Sequence, residues 1–207
     1  MSRTSSDNSE PTRAKILAGA MSVFADQGTR VPVQQILEGA DVSRRTFYRF
    51  FSNREAVMLA LYEFGTEMLL KNCRASIQRA ETPAEVVAGC IDAHLAGVST
   101  LGRLVYLLGG EAQSPDSPLY APRMRTHKAL AELVREALAD DLPDTCDPLL
   151  VSSLLIALES IARTVLQDEG RRVEAEMVER ARAVMMRLAT ATLLAPAGGG
   201  VTRLPEE

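Results

Sequence analysis

The sequence predicts an all-α protein of about nine helices. Alanine and leucine, both strong helix formers, supply 28 and 26 of the 207 residues, whereas the β-branched valine and isoleucine supply only 16 and 6. Apolar and polar residues almost nowhere alternate strictly, as they would in a half-buried strand. Capping residues, prolines and glycines divide the chain into segments of helical length.

The first three helices are predicted to be one long helix followed by two short ones. Apolar residues recur at helical spacing over about 12–27, and Gly28 follows as a stop signal. A second helix is predicted over about 32–39, because proline suits the first helical turn. The third covers 43–50, with Ser43 as its N-cap.

Two capping boxes predict the helices that follow. Ser-Asn-Arg-Glu at 52–55 opens a long fourth helix that continues to about residue 80. Thr-Pro-Ala-Glu at 82–85 opens a helix that continues to about residue 108 and bends near Gly97 or Gly102, which divides it into the fifth and sixth helices.

Three more helices are predicted over about 119–140, 148–169 and 172–195. Apolar residues cover most of the circumference of the segment 148–169, so that helix must be buried on several faces.

We expect four regions along the chain. Residues 1–11 and 196–207 are predicted to be flexible tails, because the first is polar and the second is glycine-rich. Between them we expect a small N-terminal domain at 12–57 and a larger helical domain at 58–195.

Basic charge is concentrated in one short window. The whole chain has a net charge of −4, which by itself disfavours binding to a polyanion. Residues 42–54, however, contain four arginines and no acid. Residues 1–62 have eight basic and six acidic side chains (+2), whereas residues 63–207 have fifteen basic and twenty-one acidic ones (−6).

Two short helices about four residues apart match a helix-turn-helix, whose second helix enters the DNA major groove. The alternative is that this window is only a solvated helix face.

Aromatic residues cluster in the same part of the chain. Phe47 and Phe51 are four residues apart and are expected to dock the third helix on the first. The side chains that this leaves pointing outward are Arg44, Arg45, Tyr48 and Arg49.

The N-terminal segment contains a set of residues at ordered spacing: Ile16-Leu17, Val23-Phe24-Ala25, Gly28, Ile36, Ala40-Asp41-Val42-Ser43, Thr46-Phe47-Tyr48-Arg49-Phe50-Phe51 and Arg54-Glu55-Ala56. With these residues the segment resembles the DNA-binding domain of the TetR (tetracycline-repressor) family of bacterial transcription regulators. The resemblance implies a three-helix helix-turn-helix domain followed by a larger helical domain for effector binding and dimerisation. It also implies a recognition helix from Ser43 to Arg49.

The resemblance further implies a role for each residue of this segment. Thr46 and Tyr48 would bind phosphates, the arginines of the recognition helix would lie in or beside the groove, and Arg54 would meet the DNA backbone. The implied DNA contacts are Gln34, Ser43, Arg44, Arg45, Thr46, Tyr48, Arg49 and Arg54.

The sequence departs from the family pattern at three places. Asp41 stands where glycine is usual, at a position expected to be left-handed, which aspartate tolerates at some cost. Val31 and Pro32 replace a Thr-Ser pair that caps helix 2 and touches phosphate, so that contact is lost or passes to Gln34. Arginine at 45 and 49 replaces glycine and histidine, which makes the surface more basic.

The last two helices are predicted to form the interface of a homodimer. Two copies of each helix would make a four-helix bundle and place two recognition helices one DNA turn apart. The residues expected at its centre are Leu155, Leu158, Ala162, Val184 and Leu188.

A small-molecule effector is expected to bind among helices 5 to 8. Polar residues embedded in these apolar helices are the candidates: His94, Tyr106, His127, Ser153, Glu159 and Arg163. The alternative for each is a surface residue or a hydrogen-bonded core residue.

Other classes of function find little support in the sequence. No G-x-S-x-G, H-E-x-x-H or P-loop motif indicates an enzyme, and neither the three cysteines nor the two histidines have metal-ligand spacing, so no cofactor or metal is expected. No window has the length of uninterrupted apolar residues typical of a membrane helix, and the polar N-terminus lacks a secretory signal, so a cytoplasmic protein is expected.

Two functions remain open. The first is a ligand-responsive DNA-binding regulator, a repressor that a small molecule releases from a palindromic operator. The second is a DNA-binding scaffold controlled by a protein partner. The sequence does not distinguish repression from activation, since both use this architecture.

Overall fold

A computed structural model describes residues 9–139, 147–165 and 175–194. Within these ranges all regular structure is helical, which confirms the predicted all-α class. The helices described are α1 (Ser9–Gln27), α2 (Val33–Ala40), α3 (Arg44–Phe50), α4 (Arg54–Ile77), α5 (Pro83–Leu101), α6 (Arg103–Glu111), α7 (Tyr120–Ala137), α8 (Pro148–Thr164) and α9 (Ala175–Leu193). Residues 1–8, 140–146, 166–174 and 195–207 lie outside the described residues, and with them most of both predicted tails, the junctions around α8 and Cys146.

Several helix boundaries differ from the predicted ones by a few residues, among them the starts of α1, α2 and α4. α1 begins at Ser9, three residues before its predicted start. Pro32 is the N-cap of α2 rather than its first residue, and no side chain caps this helix. α4 is capped by Asn53, whose side chain accepts a hydrogen bond from the Ala56 amide at 2.8 Å, whereas the predicted box began one residue earlier.

The predicted bend lies at Gly102 and separates α5 from α6. Its backbone has φ 47° and ψ −120°, in the positive-φ region that residues with a Cβ rarely adopt. α6 therefore leaves α5 in a new direction. Thr82 caps α5 as predicted, since its hydroxyl accepts a hydrogen bond from the Glu85 amide.

The buried side chains form two cores. The first joins α1, α2, α3 and the start of α4 around Phe24 and Phe47, and it also contains Leu104 and Leu108 of α6. The second joins α5, α7, α8 and α9 around Leu95, and the elements α4 and α5 pack extensively along each other. α4 and α6 therefore connect the N-terminal helices with the larger helical body.

α5 is the one helix in the described ranges that is long and apolar enough to cross a membrane by length and composition. Its buried residues, which include Val87, Ile91 and Leu95, belong to the second core. It therefore packs as a core helix of the larger domain.

Candidate nucleic-acid interface and internal cavity

The turn between α2 and α3 is held by Asp41 and by Lys15 of α1. Asp41 has φ 47° and ψ 58°, which confirms the predicted left-handed conformation, and it is the only non-glycine residue with positive φ in the described ranges. Lys15 Nζ donates to the Asp41 carbonyl oxygen at 2.8 Å and to its Oδ2 at 2.9 Å. Sequence reasoning missed Lys15, because no local pattern joins residues that are 26 positions apart.

The orientation of α3 is set by a cap and two aromatic anchors. Ser43 Oγ accepts a hydrogen bond from the Thr46 amide at 3.0 Å, which confirms Ser43 as the N-cap. Phe47 and Phe51 are buried in the first core with Ile16 and other residues of α1, as predicted. One side of α3 is therefore fixed against α1.

The opposite side of α3 is exposed to solvent and basic. Arg44 Nη2 donates to Gln34 Oε1 at 3.2 Å, and the exposed Gln34 in turn donates to Glu38 at 2.9 Å. The Arg49 guanidinium lies 4.8 Å from the centre of the Phe50 ring. The exposed residues of α3 are Arg44, Arg45, Tyr48 and Arg49, which we call the arginine face.

Two predicted DNA contacts are less accessible than this face. Thr46 is half-buried, and its hydroxyl lies 2.8 Å from Ser43 Oγ. Arg54 is half-buried and paired with the adjacent Glu55, and its Nε is buried without a hydrogen-bond partner. The basic window therefore presents three exposed arginines rather than four.

A cavity of about 410 Å³ lies among α4 to α9 and is lined by residues of all six helices. Four of the six predicted ligand residues line it: His94, His127, Glu159 and Arg163. Ser153 does not, because it lies on the exposed side of α8, and Tyr106 instead packs beneath Arg163, whose Cζ is 5.3 Å from the ring centre.

A buried ion pair adjoins the cavity, which Glu159 lines and Arg123 does not. Arg123 of α7 donates to both oxygens of Glu159 of α8, and its Nη2 lies 2.7 Å from Oε2. His127 Nε2 lies 3.2 Å from the same oxygen. Burial raises the pKa of Glu159, but hydrogen bonds from His127 and Arg123 outweigh burial and lower that pKa to about 2. Glu159 is therefore ionised at neutral pH. Sequence reasoning missed Arg123, although it lies one helical turn before the candidate His127.

Two further polar groups of the lining, His94 and Tyr62, are neutral at pH 7. Burial lowers the pKa of His94, although the nearby Glu159 carboxylate opposes this. Burial, together with the same carboxylate, raises the pKa of Tyr62. Neither side chain therefore adds charge to the cavity.

Arg163 differs from Arg123 because it has no acidic partner among the described residues. Its Nε is buried without a hydrogen-bond partner. Its side chain crosses α6 at Gly109 and Gly110, where a Cβ would stand 3.6 Å from it. Within the described part of the chain it is therefore a cation of the cavity wall that packs on an aromatic ring and has no carboxylate partner.

An exposed apolar surface covers parts of α8 and α9. Its members are Leu149, Leu150, Ile156, Val184 and Leu188. Val184 and Leu188 were predicted for a dimer interface, but the predicted α8 residues need correction. Ala162 is already buried in the second core, and Leu155 and Leu158 line the cavity, because the face of α8 that carries them points into its own chain.

No group of three or more potential metal ligands occurs among the described residues. Cys73 and Cys90 are free thiols on α4 and α5.

Comparison with known proteins gives a family match at the N-terminus. Residues 16–61 match the family model described as bacterial regulatory proteins, tetR family. The HTH-type transcriptional regulator TcmR of Streptomyces glaucescens is 30% identical over 131 residues, which cover 61% of this chain and 54% of that protein. The chain thus spans about half the length of this curated relative.

Solved structures share the fold over most of the chain. FadR from Bacillus subtilis, solved in complex with stearoyl-CoA, has a TM-score of 0.72 and 18% identity, with 84% of this chain and 96% of that chain covered. A tetR-family regulator from Pectobacterium atrosepticum has a TM-score of 0.66 and 22% identity, and the match covers 94% of this chain and 100% of that chain. A tetR-family regulator from Syntrophomonas wolfei has a TM-score of 0.71 and 16% identity, and the match covers 90% of this chain and 99% of that chain. At these identities the likeness establishes the fold.

Proposed function

The chain belongs to the TetR family of bacterial transcriptional regulators, and on that premise we propose that it is a homodimeric repressor which a small molecule releases from a palindromic operator. Members of this family are DNA-binding regulators and not enzymes. The proposal places the protein in the cytoplasm, where its DNA is.

The observation that carries the DNA-binding part is the arginine face of α3. Arg44, Arg45 and Arg49 are exposed on a helix whose other side is anchored in the first core. A rigid helix with three outward cations can enter a major groove and bind phosphates and base edges without first being ordered.

The homodimer follows from what one recognition helix can read. A single α3 covers only a few base pairs, whereas two copies about 34 Å apart read successive major grooves. The exposed apolar residues of α8 and α9 supply a surface that a second copy would bury as a four-helix bundle. We place Ile156, Val184 and Leu188 at its centre.

Control by a ligand is supported by the position of the cavity. Leu104 and Leu108 of α6 line the cavity and also belong to the first core. The end of α6 also contacts the segment that follows α1, because the Thr29 hydroxyl donates a hydrogen bond to the Glu111 carboxylate at 2.9 Å. A ligand that displaces α6 would therefore shift the arginine face, and a coupling of about 1–3 kcal/mol would change operator affinity by roughly 5- to 150-fold. The stearoyl-CoA bound to the FadR of B. subtilis supports a small ligand on this fold.

Footprinting on the DNA upstream of the protein's own coding sequence tests this function. We expect two protected half-sites, related by a dyad, about one helical turn apart. A metabolite panel read by thermal unfolding should contain a compound that raises the melting temperature and weakens the footprint. A footprint that no compound changes would favour control by a protein partner, and the absence of any footprint would refute the operator.

A further inference from the structure

The cavity is long and polarised. Its lining on α4 runs from Leu61 to Cys73, which at 1.5 Å per residue corresponds to about 18 Å. The cavity lining is therefore elongated along α4, and the cavity has a volume of about 410 Å³. A ligand that fills it is elongated.

The end of the cavity far from the N-terminal helices is apolar. Apart from Asn72, the residues lining that end have no strongly polar side chain. They include Leu69 of α4, Val151 and Leu154 of α8, and Met185, Ala189 and Leu193 of α9. This end fits an aliphatic or aromatic body and offers few partners for polar atoms.

The end near the N-terminal helices is polar and carries the Arg163 cation. Arg123 and Glu159 neutralise each other through their bidentate pair, Nε to Oε1 and Nη2 to Oε2. Tyr62 and His94 are neutral there. Arg163 is left as a cation with a buried, unbonded Nε, beside α6.

The half-buried Arg163 guanidinium packs on Tyr106, but its buried Nε has no hydrogen-bond partner among the described residues, and a buried donor left without a partner is costly. A ligand with an acidic group at one end repays that cost, since an arginine fork binds a carboxylate in a charge-assisted, bidentate geometry. We propose that the ligand of this cavity is an amphipathic anion, with its acidic group on Arg163 and its apolar body among α5, α8 and α9. This inference rests on the proposed function, because it assigns the ligand class of the same cavity.

The ligand class also explains how binding would reach the DNA. The anion would bind Arg163 of α8, whose side chain packs against Gly109 and Gly110 of α6, so binding would fix the position of α6 relative to α8. α6 is the helix that shares residues with the first core. The charged end of the ligand would therefore act on the element that leads to the arginine face.

Three probes with the same tail and different heads test the inference: decanoate, 1-decanol and decylamine. Isothermal titration of the full chain at pH 7.5 should show decanoate binding about tenfold or more tightly than decanol, with decylamine weakest, since a hydrogen bond to a charged group contributes more than a neutral one. Each CH₂ removed from the carboxylate should weaken binding about three- to fourfold.

Variants of Arg163 distinguish the contribution of the ligand's acidic group to binding from that of its alkyl chain. Arg163→Gln should lower decanoate affinity to that of decanol while decanol binding stays unchanged, and Arg163→Lys should keep the preference for the anion. Arg125→Gln is the matched control, because that arginine of α7 is exposed and does not line the cavity.

Equal binding of the three heads, binding of none of them, or an unchanged preference in Arg163→Gln would overturn the ligand class. In those cases a melting-temperature shift with another compound of the panel would leave the proposed function standing. If instead decanoate binds as expected but the footprint is absent, the ligand class stands and the operator proposal fails.

Discussion

Arg123 and Glu159 join α7 to α8 through two parallel hydrogen bonds, from Nε to Oε1 at 3.1 Å and from Nη2 to Oε2 at 2.7 Å, and Nε also lies 3.0 Å from Oε2. The two side chains are 10% and 15% exposed. In such a pair the attraction and the cost of desolvation nearly balance, but removal of one partner leaves a buried charge alone.

We therefore expect Glu159→Ala and Arg123→Met each to lower the free energy of unfolding by about 3 kcal/mol. The double variant Arg123→Met with Glu159→Leu should lose less than the sum, because neither charge is then unpaired. Urea unfolding at fixed protein concentration measures both. Lys128→Ala removes an exposed pair with Glu132 on the same helix, and its loss should stay below about 0.5 kcal/mol. Losses as small in the single variants would contradict the assignment.

The lowered pKa of the Glu159 carboxylate predicts that the free energy of unfolding depends on pH in the acidic range. Its pKa of about 2 in the folded chain lies below the ordinary value of 4.5, so it binds a proton more weakly when folded. Its stabilisation is complete above pH 4.5 and is lost as the pH falls from 4.5 toward 2, by about 3 kcal/mol in all. The stability difference between the wild type and Glu159→Gln should therefore shrink over this range. Parallel curves of unfolding free energy against pH would show that Glu159 is not responsible.

Local patterns predicted the helix-turn-helix down to single residues. The Ser43 cap, the left-handed Asp41 and the anchors Phe47 and Phe51 each depend on neighbours within a few positions. The interactions that determine these features lie within a short window of sequence, so residue spacing alone was sufficient to predict them.

Contacts between distant segments could not be predicted in the same way. Lys15 meets Asp41 across 26 positions, and Arg123 meets Glu159 across 36. α8 is apolar on several faces, so periodicity did not decide which face points inward, and Leu158 and Ala162 were placed on the wrong one. Only the packing of α8 against α5, α7 and α9 decides it.

The crossing of α1 and α2 depends on Gly19. A Cβ at this position would lie 2.5 Å from both the Cα and the N of Ala40, which are backbone atoms and cannot move without separating the helices. Gly19→Ala should therefore destabilise the chain by about 2 kcal/mol and abolish DNA binding. Gly65→Ala is the control, because nothing lies within 4 Å of its Cβ and alanine favours the helix by about 0.5–1 kcal/mol. Thermal unfolding that places both variants on the same side of the wild type would refute the close approach.

The arginine face predicts the salt dependence of DNA binding. Arg44→Ala and Arg49→Ala should each weaken operator binding about tenfold and reduce the slope of log affinity against log salt by about one. Arg135→Ala removes the same charge from the exposed surface of α7 and should change neither quantity. Gel-shift titrations at several salt concentrations measure both. If Arg135→Ala weakens binding as much as the α3 variants, net charge rather than the groove contact explains the affinity.

The exposed apolar residues of α8 and α9 predict which substitution separates two subunits. Leu188→Arg and Ile156→Arg place a charge on surfaces that are 36% and 49% exposed in one chain and that we expect a second copy to bury. Each should convert a dimer to a monomer in sedimentation while leaving the helical content unchanged. Met124→Arg, on the exposed side of α7, serves as control because it introduces the same charge at a residue 43% exposed. Leu158→Arg would not be informative, since its side chain lines the cavity and a charge there would disturb the fold itself. Dimers that persist in both Leu188→Arg and Ile156→Arg would place the interface on another surface.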